Sequence, residues 1–212
     1  PAVVLVYGGS ISGADATHLG CFDMALLGNI PNLVYLAPTS QEEYLAMLNW
    51  AVRQTEHAVA IRVPVGPLAA AGRPVATDYS PLNRFETVVS GREVALLGLG
   101  NFYHLAEQVH ELLEQQLGIR ATLINPRYIS GVDRECLDRL TEQHRLVVTL
   151  EDGIVEGGFG QKVASCCAKN GLKVLNFGAQ KEFTDRVPTE ELYRRFHLTP
   201  QQIVQDVQNA LK

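Results

Sequence analysis

The 212-residue sequence lacks any apolar run approaching ~18 residues, the length that a membrane-crossing helix requires. It also lacks a basic excess. Its 18 Lys and Arg stand against 23 Asp and Glu, for a net charge of −5, and its longest basic cluster is the pair Arg194-Arg195. A nucleic-acid footprint is built from such an excess on one face, so that class of function is disfavoured. Cysteine is scarce: Cys21, Cys136, Cys166 and Cys167. Their spacing fits no zinc pattern, and the adjacent pair 166–167 is poorly placed to bridge itself. They read as reduced thiols, small core residues of a cytoplasmic protein. No Ser or Cys is marked as a nucleophile, so no Ser–His–Asp or Cys–His triad can be assembled. There is no internal repeat.

What is present alternates. AVVLVY (2–7), LVYLAP (33–38) and AVAIRVP (58–64) are short, β-branched and apolar, and read as buried parallel strands. Between them, 22–30 has a brief helical period. Residues 39–54 have a longer one, with Thr39 or Ser40 as its cap and glutamates in its first turn. A second series follows from 93. Strands are expected at 93–100, 119–125, 145–152 and 172–178, and helices at 102–117, 133–144, 157–171, 189–196 and 199–212. Asp133 and Thr199 are the expected caps, with Pro200 at a first helical position. Such alternation predicts an α/β fold of two parallel or mixed sheets flanked by helices. Residues 66–92 are rich in Gly, Pro, Ala and Ser without a sustained period. The expected division is therefore 1–75 as one unit, 76–92 as linker and 93–212 as a second unit. The sequence runs from Pro1 straight into an apolar strand, so it is expected to be the C-terminal part of something longer.

The chemistry of interest is in SGADATHLGCFD (12–23). Asp15 and His18 stand three apart in a loop just past the C-terminal end of a parallel strand, where open α/β sheets bind ligands. A carboxylate there can orient an imidazole and raise its pKa, and the imidazole can exchange a proton with a substrate oxygen. Ser12 and Thr17 add hydroxyls. The alternative is that Asp15 caps a turn while His18 packs against Phe22 or a domain face. Two other motifs are less specific. LGLG (97–100) follows a strand as a phosphate loop would, but lacks a full GxGxxG and a P-loop lysine; a tight turn explains it equally. EDGIVEGGFG (151–160) sets three acids among four glycines and could hold a cation or face a partner, though a metal needs more convergent oxygens than one loop supplies.

The order GADATH-G-FD, IPNL, AP, IR-P-G resembles the second half of the pyrimidine-binding domain of thiamine-diphosphate enzymes in the transketolase superfamily. INPRYISGVD, VVTLEDGIVEGGFGQKV and FGAQKEFTDRVPTEELYRRFHLTPQQIV resemble its C-terminal domain, in the pattern of the 1-deoxy-D-xylulose-5-phosphate synthases. The likeness spans essentially the whole chain. It implies a transferase of isoprenoid biosynthesis that moves a two-carbon unit from pyruvate or a ketose to an aldehyde. Asp15 and His18 would be catalytic, and with Ser12 and Thr17 would bind the acceptor above the cofactor. It further implies a homodimer, and thiamine diphosphate with Mg²⁺ held mainly by regions outside these residues. The family's cofactor-activating Glu and its metal site belong to those regions, so a missing N-terminal portion or a companion subunit is the expected partner.

Two departures stand out. The family usually has an arginine where Gly8 stands and another at Val65, and both hold the acceptor's phosphate. Arg62 remains, but three residues earlier, on the strand. The ADATH loop is also one residue short. Besides the synthase-like reading, two others stay open: a split transketolase-like or 2-oxoacid dehydrogenase β-type subunit with a different acceptor, and a non-catalytic paralogue serving dimerisation.

Overall fold

The computed structural model describes residues 2–212. Three strands, β1 (Val3–Tyr7), β2 (Leu33–Leu36) and β3 (Ala58–Val63), form a parallel sheet in the order β1-β3-β2. Helices α1 (Asp23–Leu27) and α2 (Gln41–Arg53) supply the crossovers. Ser40 caps α2 by accepting the Glu43 N–H, and Glu42 and Glu43 sit in its first turn. This satisfies an orphan donor and complements the helix dipole.

The second sheet has five strands: β4 (Glu86–Val89), β5 (Glu93–Gly98), β6 (Thr122–Asn125), β7 (His144–Ile154) and β8 (Lys173–Ala179). Their order is β4-β6-β5-β7-β8, parallel except for β4, which runs antiparallel along β6. Around it lie α3 (Tyr103–Leu117), α4 (Arg134–Leu140), α5 (Phe159–Cys167), α6 (Thr189–Arg195) and α7 (Pro200–Leu211). Asp133 caps α4 and Thr199 caps α7 through the expected side-chain bonds, and Pro200 opens α7. The two-sheet α/β architecture is the one its alternating sequence pattern demands.

The two units share packing. Met24, Tyr35, Ala37 and Ala60 from the first lie in one buried cluster with Ala95, Leu97, Phe159 and Val163 from the second. The backbone joins them too: Ala37 N–H donates to the Arg127 carbonyl and Ile129 N–H to the Tyr35 carbonyl, along the free side of β2.

Two expectations need correction at the level of elements. The β1 strand is parallel but not buried. As the sheet edge it leaves Val3 at 36%, Val4 at 50% and Tyr7 at 71% exposure. Strand order sets this, and an apolar run alone cannot report it. Within the stretch expected to lack regular structure, Glu86–Val89 form a strand of the second sheet. Before it, Tyr79 is buried, packs edge-on against Trp50 and accepts the Tyr128 hydroxyl on its carbonyl. This segment is held by single side-chain contacts, which leave no period to read.

Candidate functional site

Residues 8–22 leave the C-terminal end of β1 and cross the seam between the units. Three backbone bonds to the far end of the chain shape the loop. Gly13 N–H donates to Thr189 Oγ1 at 3.1 Å, Ala16 N–H to Asp185 Oδ1 at 3.3 Å, and Arg186 N–H to the Ala14 carbonyl at 3.0 Å. The first unit therefore supplies the loop, and the start of α6 with its approach segment holds it.

At the tip, Asp15 Oδ1 accepts the Thr17 N–H at 3.0 Å and the Thr17 hydroxyl at 2.5 Å. His18 Nδ1 lies 2.8 Å from Thr17 Oγ1 and 3.2 Å from Asp15 Oδ1. His18 N–H also closes the turn on the Asp15 carbonyl. So Asp15 does cap a turn. His18, however, is mostly in solvent: its side chain is 79% exposed, and Phe22 pairs instead with Phe183. The Thr17 hydroxyl, then His18, then the Thr17 N–H hold the Asp15 carboxyl down to about 2. Asp15 is thus a carboxylate at any ordinary pH. With Nδ1 turned to the acid and the hydroxyl, His18 Nε2 faces away and makes no hydrogen bond among the described residues. Ser12 is half-buried, and its hydroxyl also makes none there.

Beneath the loop is a second polar constellation that sequence reasoning missed. Arg62, on β3, is buried and grips Asp23 with two bonds, Nε to Oδ2 at 2.7 Å and Nη2 to Oδ1 at 3.1 Å. Its Nη2 also donates to the Asp152 carbonyl at 2.6 Å, and Nη1 stands 4.0 Å from the Asp152 carboxylate. Tyr35 Oη donates to Asp23. Asp152, fully buried, accepts the Ile11 N–H at 2.7 Å and Asn101 Nδ2 at 2.6 Å. Gly9 leaves the room for this: a Cβ there would lie 2.6 Å from Arg62 Nε. Asp23 and Asp152 hold Arg62 firmly protonated against its burial. The only hint in the sequence was a charged residue at a position where a buried strand wants an apolar one.

The acids of 151–160 turn inward or pair. Glu151 accepts the N–H groups of Phe159 and Gly160, at 2.7 and 2.9 Å, and so caps α5. Burial pushes its carboxyl up to about 7. Glu156 pairs with Lys181. Among the described residues no group of three His, Cys, Asp or Glu could hold a metal ion. At LGLG, Leu99 N–H donates to the Leu150 carbonyl and so extends the sheet, while Phe102 N–H closes a turn on the Leu99 carbonyl. Burial pushes the Cys21 and Cys167 thiols up to about 11, far from nucleophilic. Among the described residues no helix is long and apolar enough to cross a membrane.

The chain matches the transketolase pyrimidine-binding domain over residues 1–69 and the transketolase C-terminal domain over 83–203. It is 36% identical to the 1-deoxy-D-xylulose-5-phosphate synthase of Pelotomaculum thermopropionicum across 98% of its length, and 37% identical to that of a Synechocystis species across 95%. It spans about a third of each of those relatives, 33% and 32%. Among solved structures it is similar to the inactive β4 tetramer of a split-gene transketolase, with a TM-score of 0.78 and 25% identity over 99% of this chain and 65% of that one. A transketolase mutant from Pichia stipitis, at 15% identity and a TM-score of 0.74 over 98% of this chain and 29% of its own, shares the fold. Matched over both units in this order, the chain belongs to the transketolase superfamily and is similar there to 1-deoxy-D-xylulose-5-phosphate synthase.

Proposed function

We propose that this chain is the C-terminal portion of a thiamine-diphosphate-dependent transferase that moves a two-carbon unit from pyruvate or a ketose to an aldehyde. The observation that carries the reading is the Asp15–Thr17–His18 constellation: an ionised acid, an imidazole oriented through Nδ1, and a free Nε2 at the end of a parallel strand. The cofactor and Mg²⁺ are held by the rest of the assembly, and the cofactor supplies the carbanion chemistry there. Asp15 accepts a hydroxyl of the acceptor. His18, protonated, donates from Nε2 to the aldehyde oxygen as that oxygen gains charge, and neutral it takes a proton from a hydroxyl. Ser12 and Thr17 line the same mouth. Residues 1–75 complete a pyrimidine domain with a partner, the segment from 76 connects, and the C-terminal domain takes in β4 (Glu86–Val89) ahead of 93–212. The exposed apolar edge of β1 is where the missing portion seats, in a homodimer or larger assembly.

A second reading is favoured by the likeness to a split-gene transketolase: a natural β-type subunit that works only with a separate companion. In either case Gly8 and Val65 supply no side-chain donor, so the acceptor is non-phosphorylated or carries its charge elsewhere.

The test is two-carbon transfer from pyruvate to glyceraldehyde by the chain assembled with its companion portion, thiamine diphosphate and Mg²⁺. His18→Ala should lower kcat/KM by about 10²-fold while leaving stability within about 0.5 kcal/mol. An assembled protein that gives no heat with thiamine diphosphate and Mg²⁺ would sink both readings. Unchanged turnover in His18→Ala would remove the imidazole from the chemistry.

A further inference from the structure

We propose that Arg186 is the anion-holding residue of the acceptor site and that it takes the carboxylate of a short aldehyde acid. The proposal rests on the reading above, that Asp15 and His18 bind the acceptor.

Arg186 comes from the opposite unit of the chain, yet its Nη2 lies 4.0 Å from Asp15 Oδ2. That is beyond hydrogen-bond reach, and the side chain is 77% exposed, so the planar head keeps its donors for a ligand. Its backbone is fixed where its side chain is not. The residue stands at φ 51°, unusual for a residue with a Cβ, and its N–H is bound to the Ala14 carbonyl. Asp185 and Thr189 bind the same loop on either side. The segment thus delivers one guanidinium to the mouth of the loop at a set position.

Three other cations are already paired. Arg62 is buried on Asp23 and Asp152, Lys181 pairs with Glu156, and Arg195 with Glu182. Among the described residues, Arg186 is the permanent cation within 4.0 Å of Asp15. Among the described residues the hydrogen bonds to the Asp15 side chain end on Oδ1, while Oδ2 is the oxygen that stands 4.0 Å from Arg186.

Two features set the ligand. Arg186 stands next to the group that would hold the acceptor's oxygen, so the charge must lie within a carbon or two of the reacting aldehyde. The acids Asp15 and Asp185 are close by, which disfavours a dianion more than a monoanion. A carboxylate meeting the outer edge of the guanidinium satisfies both conditions and suits its bidentate geometry.

Two experiments test this. In the first, the 212-residue chain alone is titrated with sodium acetate, sodium phosphate and sodium chloride while the His18 imidazole resonances are followed by NMR. Acetate should give a saturable shift that chloride does not, and Arg186→Gln should weaken it about 10-fold or more. An identical acetate titration in both proteins, or a shift driven only by phosphate, overturns the proposal. In the second, the assembled holoenzyme is assayed with glyoxylate and with glycolaldehyde. Arg186→Gln should lower the glyoxylate-to-glycolaldehyde ratio of kcat/KM by about 10- to 100-fold. An unchanged ratio overturns it, as does a loss that falls on the KM for pyruvate, which would assign Arg186 to the donor's carboxylate. An assembly that transfers no two-carbon unit sinks the proposed function, whereas the titration still reads Arg186.

Discussion

Two clusters of acid and base lie within this chain, one above the other, and they obey opposite rules. In the buried one, Arg62, Asp23 and Asp152 have nearly every polar atom matched by a partner within the protein. In the exposed one, Asp15 and Thr17 turn inward on each other while His18 Nε2 and the Arg186 guanidinium are left open to solvent. A cluster that satisfies itself joins two halves of a fold. A cluster left half satisfied on a rigid base is one that a ligand can complete. Charge alone does not separate the two cases; the number of polar groups left open does.

The comparison breaks most sharply at Arg62. Arg62→Met leaves Asp23 and the fully buried Asp152 without their counter-charge. Breaking a buried pair from one side typically costs about 3–5 kcal/mol, and here it also frees the seam between the units. Urea denaturation of the chain should show a loss of that order. A loss under about 1 kcal/mol would mean that the network is incidental to folding, and the contrast with the exposed cluster would fail.

The next effect is in pH dependence. Burial raises the Glu151 carboxyl to about 7, against 4.5 ordinarily. The folded protein therefore holds this proton more tightly than the unfolded chain. The stabilisation is fully present below about pH 4.5 and is lost as pH rises through 7. One pKa unit is worth about 1.4 kcal/mol, so the loss amounts to about 3 kcal/mol. Glu151→Gln keeps one acceptor for the α5 amides but cannot ionise. Between pH 5 and 8 the wild type should lose about 3 kcal/mol more than the variant. His104, raised chiefly by Glu107, contributes equally to both proteins and drops out of the difference. Parallel pH profiles would place the Glu151 titration outside this window.

The comparison also explains what the sequence discloses. Alternation, turn residues and caps are local, and Ser40, Asp133 and Thr199 behave as their positions foretell. Asp15 and His18 are legible as a pair because one loop carries both. Arg62, Asp23 and Asp152 lie 39 and 90 positions apart in the chain, so no window of sequence contains their network. The same holds for Arg186 against Asp15, which meet only because α6 and its approach close over the loop. The edge position of β1 is hidden for another reason: strand order is a property of the sheet, and VVLVY reads alike at its centre and its rim.

The smallest expected effect concerns the two positions without arginine. Val65 is 61% exposed, and its N–H is held by Ser10 Oγ at 3.0 Å, so a longer side chain there has room on a fixed backbone. Gly8 also has open space around it, but stands at φ 76°. A residue with a Cβ is strained there by about 1–2 kcal/mol. Val65→Arg is therefore the cleaner change, and Gly8→Arg adds a cost in stability to any gain in binding. In the assembled enzyme, Val65→Arg should raise the kcat/KM ratio of glyceraldehyde 3-phosphate over glyceraldehyde by about tenfold, the value of one charge-assisted contact at an open position. Adding Gly8→Arg should raise it further while lowering the unfolding midpoint. An unchanged ratio in both variants would show that the phosphate is not received at this end of the sheet. A wild type that already uses the phosphorylated aldehyde at about 10⁴ M⁻¹s⁻¹ or above would show that the missing arginines were never needed.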